Sequence, residues 1–154
     1  MDNNKVKPFI QDEYFDNCEN EDNQLLIKFN EKYKFFIELS RHSIEHPIDY
    51  DGIGFNGKKV NIELKKRELS TNTFDTTFIE PLKYNYLMKE WKENKIEPLF
   101  INFFNDGILI WNLKMMDYDK LKKQTVKLYD KGHKSYYIEE RILLPNHKSY
   151  FYKY

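Results

Sequence analysis

The chain has 154 residues, 40% hydrophobic and 32% charged, with 12 Tyr and 12 Phe and a formal net charge of zero. That composition suits one globular domain (1–154) that buries a core without disulfides or a structural metal, and it excludes a disordered chain. Cys18 stands alone, which excludes an internal disulfide or a multi-cysteine zinc site, and no apolar run of 18 residues or basic-then-apolar start points to a membrane or signal segment.

Residues 1–19 read as an irregular or partly stranded lead-in, rich in acids. A helix is expected over 21–33, where Leu25, Leu26, Phe29 and Tyr33 fall on one face and acids at its start complement the helix dipole. KFFIELS (34–40) reads as a first strand, PIDYDGIGF (47–55) as a second and KKVNIELKK (58–66) as a third. Asn56-Gly57 between the last two is a hairpin turn signal. After a polar segment at 68–77, a helix is expected over 80–95, with Pro81 suited to its first turn and Leu82, Tyr86 and Trp91 available to pack. EPLFINFF (97–104) and ILIWNL (108–113), joined through Asp106-Gly107, are apolar enough for the middle of a sheet. A Lys-rich helical or loop segment and two strands, near 135–144 and 148–154, complete the chain. The order implies a mixed α/β (α+β) fold, a mixed central sheet flanked by helices.

Alternation along the third strand puts Asn61, Glu63 and Lys65 on one face and Val60, Ile62 and Leu64 on the other. Asp49 and Asp51 share a face of the second strand, and the tight turn lets either approach Glu63. Two adjacent carboxylates repel, and a hard divalent cation relieves the repulsion; Mg²⁺ favours one or two carboxylates with waters and phosphate oxygens. An ammonium at Lys65 would stabilise the added negative charge of a pentacovalent phosphorus, so the set suits phosphodiester hydrolysis by metal-activated water. Glu-x-Lys alone is uninformative, since it recurs at Glu90/Lys92 and Glu93/Lys95 on an expected solvated helix face. Only Glu63/Lys65 sits in an apolar-alternating strand after a hairpin and an upstream acid.

PIDYD…VNIELKK resembles the signature of the PD-(D/E)XK nuclease superfamily, in which Pro and an acid, a β-hairpin and Glu-x-Lys follow in order. Residues 20–113 suit that family's αβββαβ restriction-endonuclease-like core, with 114–154 an elaboration. The chain looks most similar to small phage-type, Holliday-junction-resolvase-like or restriction-endonuclease-like members, with YD, E-x-K, a downstream E-x-x-K helix and an NDG hairpin. The resemblance implies Asp51 and Glu63 as ligands of Mg²⁺ (or Mn²⁺ as substitute), the Leu64 carbonyl as a third, and Lys65 as the catalytic lysine. The acid is ambiguous, because Pro47-Ile48-Asp49-Tyr50-Asp51 spreads the motif; the Tyr-Asp context and the spacing to Glu63 favour Asp51 over Asp49. Many members add an acid from the first helix, for which Glu21 is the candidate.

If nucleic acid binds, Lys58, Lys66, Arg67 and Lys83 are candidate backbone-phosphate contacts. The zero net charge does not oppose this: residues 114–154 carry 10 basic and 5 acidic side chains, and phosphates respond to local surface. Tyr84 and Tyr86 read as core aromatics, and His42 and His46, before Pro47, as structural or exposed histidines without the other ligands of a zinc site. The expected function is a metal-dependent nuclease, on DNA by family resemblance, located in the cytoplasm (a host's, if viral), with a homodimer compatible with two-strand cutting. The rival reading is a degenerate nuclease fold acting as a nucleic-acid-binding or protein-interaction module, such as a phage counter-defence protein.

Overall fold

The computed structural model describes the backbone of residues 9–154 and the side chains from Glu21 onward. It divides into two compact units, one ending at Phe35 and the other spanning Phe36–Tyr154.

The first unit is one long helix, α1 (Phe9–Tyr33). It begins twelve residues earlier than the sequence reading placed it, which corrects the irregular lead-in; residues 9–20 contain neither Gly nor Pro, so nothing in them breaks a helix. The expectation for residues 1–8, and the Cys18 side chain, lie outside the described residues. Leu26 and Phe29 are buried and Leu25 and Tyr33 half-buried, on the expected face. The helix ends where Lys34 takes a left-handed conformation (φ 52°) with its N–H on the Asn30 carbonyl at 2.8 Å.

The second unit contains β1 (Phe36–Arg41), β2 (Tyr50–Gly54), β3 (Lys59–Lys66), β4 (Thr76–Ile79), α2 (Pro81–Asn94), β5 (Glu97–Phe103), β6 (Ile108–Asn112), β7 (Lys122–Asp130), β8 (Ser135–Pro145) and β9 (Tyr150–Tyr152). Six strands form a mixed sheet in the order β1-β2-β3-β5-β6-β9, and β4-β8-β7 form a second, antiparallel sheet. The β2–β3 hairpin turns through Phe55-Asn56-Gly57: Gly57 N–H reaches the Gly54 carbonyl at 2.9 Å, and Gly57 adopts φ 77°. A side chain is strained at that angle, so the Asn-Gly pair is the reason for the turn. From β3 the chain crosses over through β4 and α2 to β5, which pairs parallel with β3, Glu63 beside Phe100 and Lys65 beside Asn102.

Central position explains composition. β5 is buried at every residue and β3 from Val60 to Leu64; β5 is mostly apolar on both faces, whereas β3 buries Val60, Ile62 and Leu64 on one face and the polar Asn61 and Glu63 on the other. One face of the large sheet gives Phe100 and Trp111 to a core that includes Tyr84 and Leu87 of α2 and Ile142 and Leu144 of β8. The helix packs through Tyr84 and Leu87, and Leu82, expected to pack, is 83% exposed. Three-residue spacing sets the buried pair, and Leu82 falls on the opposite side of the cylinder.

Two further expectations are corrected. The polar segment 68–77 runs into strand β4 at Thr76. The Lys-rich stretch is two short 3₁₀ turns followed by β7, in which Val126 and Leu128 alternate with Lys127 and Tyr129 as a strand requires.

Candidate active site

The sheet register assembles the site. Tyr50 lies opposite Ile62 and Asp51 opposite Asn61, so the position opposite Glu63 is Asp49, one residue before β2 begins. Asp49 continues the ladder with its N–H on the Ile62 carbonyl at 3.2 Å, and its carboxylate Oδ2 accepts the Leu64 N–H at 2.8 Å. The structure thus brings Asp49 against Glu63. Asp51 stands one step away, half-exposed, 3.3 Å from His42 Nε2.

Glu63 is 1% exposed. Burial first, then the neighbouring Asp49 charge, pushes its carboxyl up to about 8, against the opposing pull of Lys83 and Lys65. Lys83 reaches down from α2 and donates to Glu63 Oε2 at 3.2 Å. Lys65, next on the same face, lies 3.4 Å from Glu80 Oε1. Glu80 is the N-cap residue of α2, yet its side chain makes no capping bond. Three carboxylates, Asp49, Glu63 and Glu80, and two ammonium groups, Lys65 and Lys83, therefore gather here, with Phe100 paired beside Glu63 on the core side.

The row continues one residue past the end of β3 to Arg67, whose guanidinium is committed within the fold. Its Nε donates to Asn102 Oδ1 at 2.9 Å, its Nη2 to the Phe78 carbonyl at 2.9 Å, and its plane lies 4.2 Å from the Phe78 ring centre. Lys66 is exposed and 3.8 Å from Glu68. Lys58 lies at the opposite end of β3, 3.8 Å from Glu97, a buried carboxylate that Lys114 and Asn112 also bind. Glu21 belongs to α1, in the other unit. The structure thus brings together Asp49, Glu63, Lys65 and Lys83, with Asp51 at the margin, and leaves Lys58 apart.

Two features escaped the sequence reading. Asn102 is fully buried beside Lys65, and its Nδ2 has no hydrogen-bond partner; a lone Asn inside the apolar run LFINFF was the available signal. His42 and His46 stack at 3.7 Å, with the His46 ring against Tyr86 of α2. This bracing holds the segment between β1 and β2 that delivers Asp49 and Asp51.

Among the described residues no group of three or more His, Cys, Asp or Glu is arranged to hold a metal ion. The donor set still fits Mg²⁺, which needs only one or two carboxylates when waters and phosphate complete its shell. The raised carboxyl of Glu63 beside Asp49 is a place where added positive charge is stabilising.

No protein-family model matches the sequence, and no curated protein matches it. Among solved structures, the chain is similar to a Holliday junction resolvase from the archaeal hyperthermophile Archaeoglobus fulgidus. The two share 11% identity with a TM-score of 0.51, over 83% of this chain and 88% of the other. The fold is restriction-endonuclease-like, a mixed α+β architecture around a mixed sheet, as expected from the hairpin, crossover helix and apolar strand pair. No described helix is long and apolar enough to cross a membrane.

Proposed function

We propose that the protein is a divalent-metal-dependent nuclease that hydrolyses phosphodiester bonds in DNA. The observation that carries this reading is the buried Glu63 with Asp49 across the hairpin and Lys65 two residues on, at the edge of a parallel strand pair. The resolvase-like fold, shared with a protein that acts on DNA junctions, supports the substrate class.

In this reading Asp49 and Glu63 hold Mg²⁺ (or Mn²⁺), with the Leu64 carbonyl on the same strand and Asp51 as the alternative acid. The bound ion would supply the positive charge that polarises the phosphodiester and acidifies a water. Lys65, held by Glu80, places an ammonium where negative charge grows on phosphorus. Lys83 keeps Glu63 partnered until substrate and ion arrive.

That same contact favours a second reading. An ammonium at 3.2 Å from Glu63 could serve permanently as the positive charge, leaving a degenerate nuclease fold that binds nucleic acid or a protein without cutting.

Cleavage of labelled duplex, branched and single-stranded DNA and of RNA, with Mg²⁺, Mn²⁺ or EDTA, separates the two. The nuclease reading expects metal-dependent cutting that Glu63→Ala and Asp49→Ala abolish, Lys65→Ala slows with little effect on metal affinity, and Asp51→Ala retains in larger part. Cutting should rise between pH 6 and 9 as the Glu63 proton is displaced. Failure to cut any substrate, with no calorimetric Mn²⁺ binding at pH 8, favours the degenerate reading.

A further inference from the structure

The β7–β8 hairpin is a two-stranded arm. Its strands pair over nine positions, from Lys122 opposite Leu143 to Asp130 opposite Ser135, while β4 covers β8 only from Ile142 to Pro145. Beyond Arg141 the ribbon has no third strand among the described residues, and at about 3.3 Å per residue its free part is roughly 20 Å long. Isolated two-stranded ribbons are marginal in water. This one nevertheless exposes large side chains, Tyr136 at 66% and Ile138 at 70%, that build no core.

Its charge is mainly positive. Between residues 122 and 141 five lysines and Arg141 stand against Asp130, Glu139 and Glu140, and Glu139 is held by Arg141 at 2.6 Å. Asp130 is used at the turn, accepting from the Gly132 and His133 N–H groups at 2.8 and 3.1 Å and pairing with His133 Nδ1 at 2.6 Å. None of the five lysines pairs with a carboxylate among the described residues; Lys127 lies 4.6 Å from the Tyr136 ring centre and Lys123 4.1 Å from that of Tyr118. Lys123 and Lys127 share one face with Tyr136 and Ile138, Lys122 lies on the other face at the root, and Lys131 and Lys134 sit at the tip. A second copy would bring like charge against like.

The root of the arm lies beside Arg67. Arg141, at its root, lies 3.8 Å from the ring centre of Phe78, which Arg67 also contacts at the end of the Glu63-Lys65-Arg67 row. We infer that the β7–β8 arm is a nucleic-acid-binding element, lying in a duplex groove and setting its lysines along the phosphates that flank the bond held at Glu63. A major groove about 12 Å wide admits a two-stranded ribbon, and duplex DNA presents one negative charge per roughly 1.7 Å of axis. The inference rests on the nuclease reading for its substrate class, and it adds a contact surface outside the catalytic row.

The test is binding, not cutting. The native chain is titrated in EDTA against a fluorescein-labelled 30-base-pair duplex at 50 to 300 mM KCl. Beside it run a variant with all five lysines changed to Ala and a second with all five changed to Arg. The slope of log K against log salt should flatten by about 3 to 4 in the alanine variant, at about 0.9 per lost phosphate contact, with affinity at 100 mM KCl falling at least about tenfold. The arginine variant should keep the native slope. An unchanged slope in the alanine variant, or an equal loss in the arginine variant, overturns the inference while leaving the nuclease reading standing. No duplex binding by the native chain also overturns the inference, while the nuclease reading stands or falls on the cleavage panel. Concentration-dependent dimerisation that only the alanine variant loses, without a change in slope, would assign the arm to a second copy instead.

Discussion

Glu63→Gln is the most direct probe of the site that needs no substrate. In the folded chain the Glu63 carboxyl holds its proton up to about pH 8, against 4.5 for an ordinary glutamate, because it is buried beside Asp49. Between those values unfolding releases a proton, so this residue makes stability fall as pH rises; below about 4.5 both states are protonated and above about 8 both are ionised, and the contribution levels off. At 1.36 kcal/mol per pH unit, the cost reaches about 3 kcal/mol at pH 7 and about 4 at pH 8, a large part of the 5–15 kcal/mol typical of a domain. Gln keeps an oxygen for Lys83 and cannot ionise. Urea unfolding in EDTA, followed by tryptophan fluorescence, should therefore find Glu63→Gln the more stable protein, by under about 1 kcal/mol at pH 5 and about 4 at pH 8. Adding Mg²⁺ at pH 8 should stabilise the native chain and leave the variant unmoved, since an ion that binds only the folded state shifts unfolding by mass action. Parallel stability curves from pH 5 to 8 would show that burial and Asp49 do not hold the proton, and would remove the electrostatic argument for this site.

Arg67→Ala should lower thermal stability, because it strips the partner from a fully buried Asn102 and from the Phe78 carbonyl; about 2–3 kcal/mol is the scale for orphaning such groups. An unchanged melting temperature with weakened nucleic-acid binding would instead make Arg67 a phosphate contact. Gly107→Ala places a methyl 2.8 Å from Phe151 Cζ and 3.0 Å from the Tyr152 carbonyl oxygen, so β9 must shift at a cost of about 1–3 kcal/mol. A melting temperature within a degree of the native value would mean that β9 yields freely.

Much of this fold could be read before any coordinates because it rests on local chemistry. Asn56-Gly57 supplies the one backbone angle that turns β2 into β3, and EPLFINF has no polar face to offer water. The failures were tertiary. Leu82 looks like a packing residue until the buried pair Tyr84 and Leu87 sets the rotation of α2, which carries Lys83 over Glu63 and turns Leu82 outward. The lysines of β7 mask its alternation, since both of its faces are wet for most of its length. A strand with no buried face leaves only a faint period in the sequence.

The choice between Asp49 and Asp51 shows where sequence reasoning stops. Both acids share a strand face, so alternation cannot separate them, and motif spacing favours Asp51, with the shorter gap to Glu63. Register separates them. The three-residue turn Phe55-Asn56-Gly57 pairs Ile53 with Lys59, and counting back along the antiparallel ladder sets Asp51 across from Asn61 and leaves Asp49 for Glu63. A two-residue turn at Asn56-Gly57 would slide the ladder by one residue, and each side chain of β2 would meet a neighbour from the other face of β3. The electrostatics of the site thus depend on one residue of turn length. An insertion or deletion at residues 55–57 should uncouple Asp49 from Glu63 without touching either, and nuclear magnetic resonance titration of Glu63 would report it as a fall of its pKa from about 8 toward the value set by burial alone.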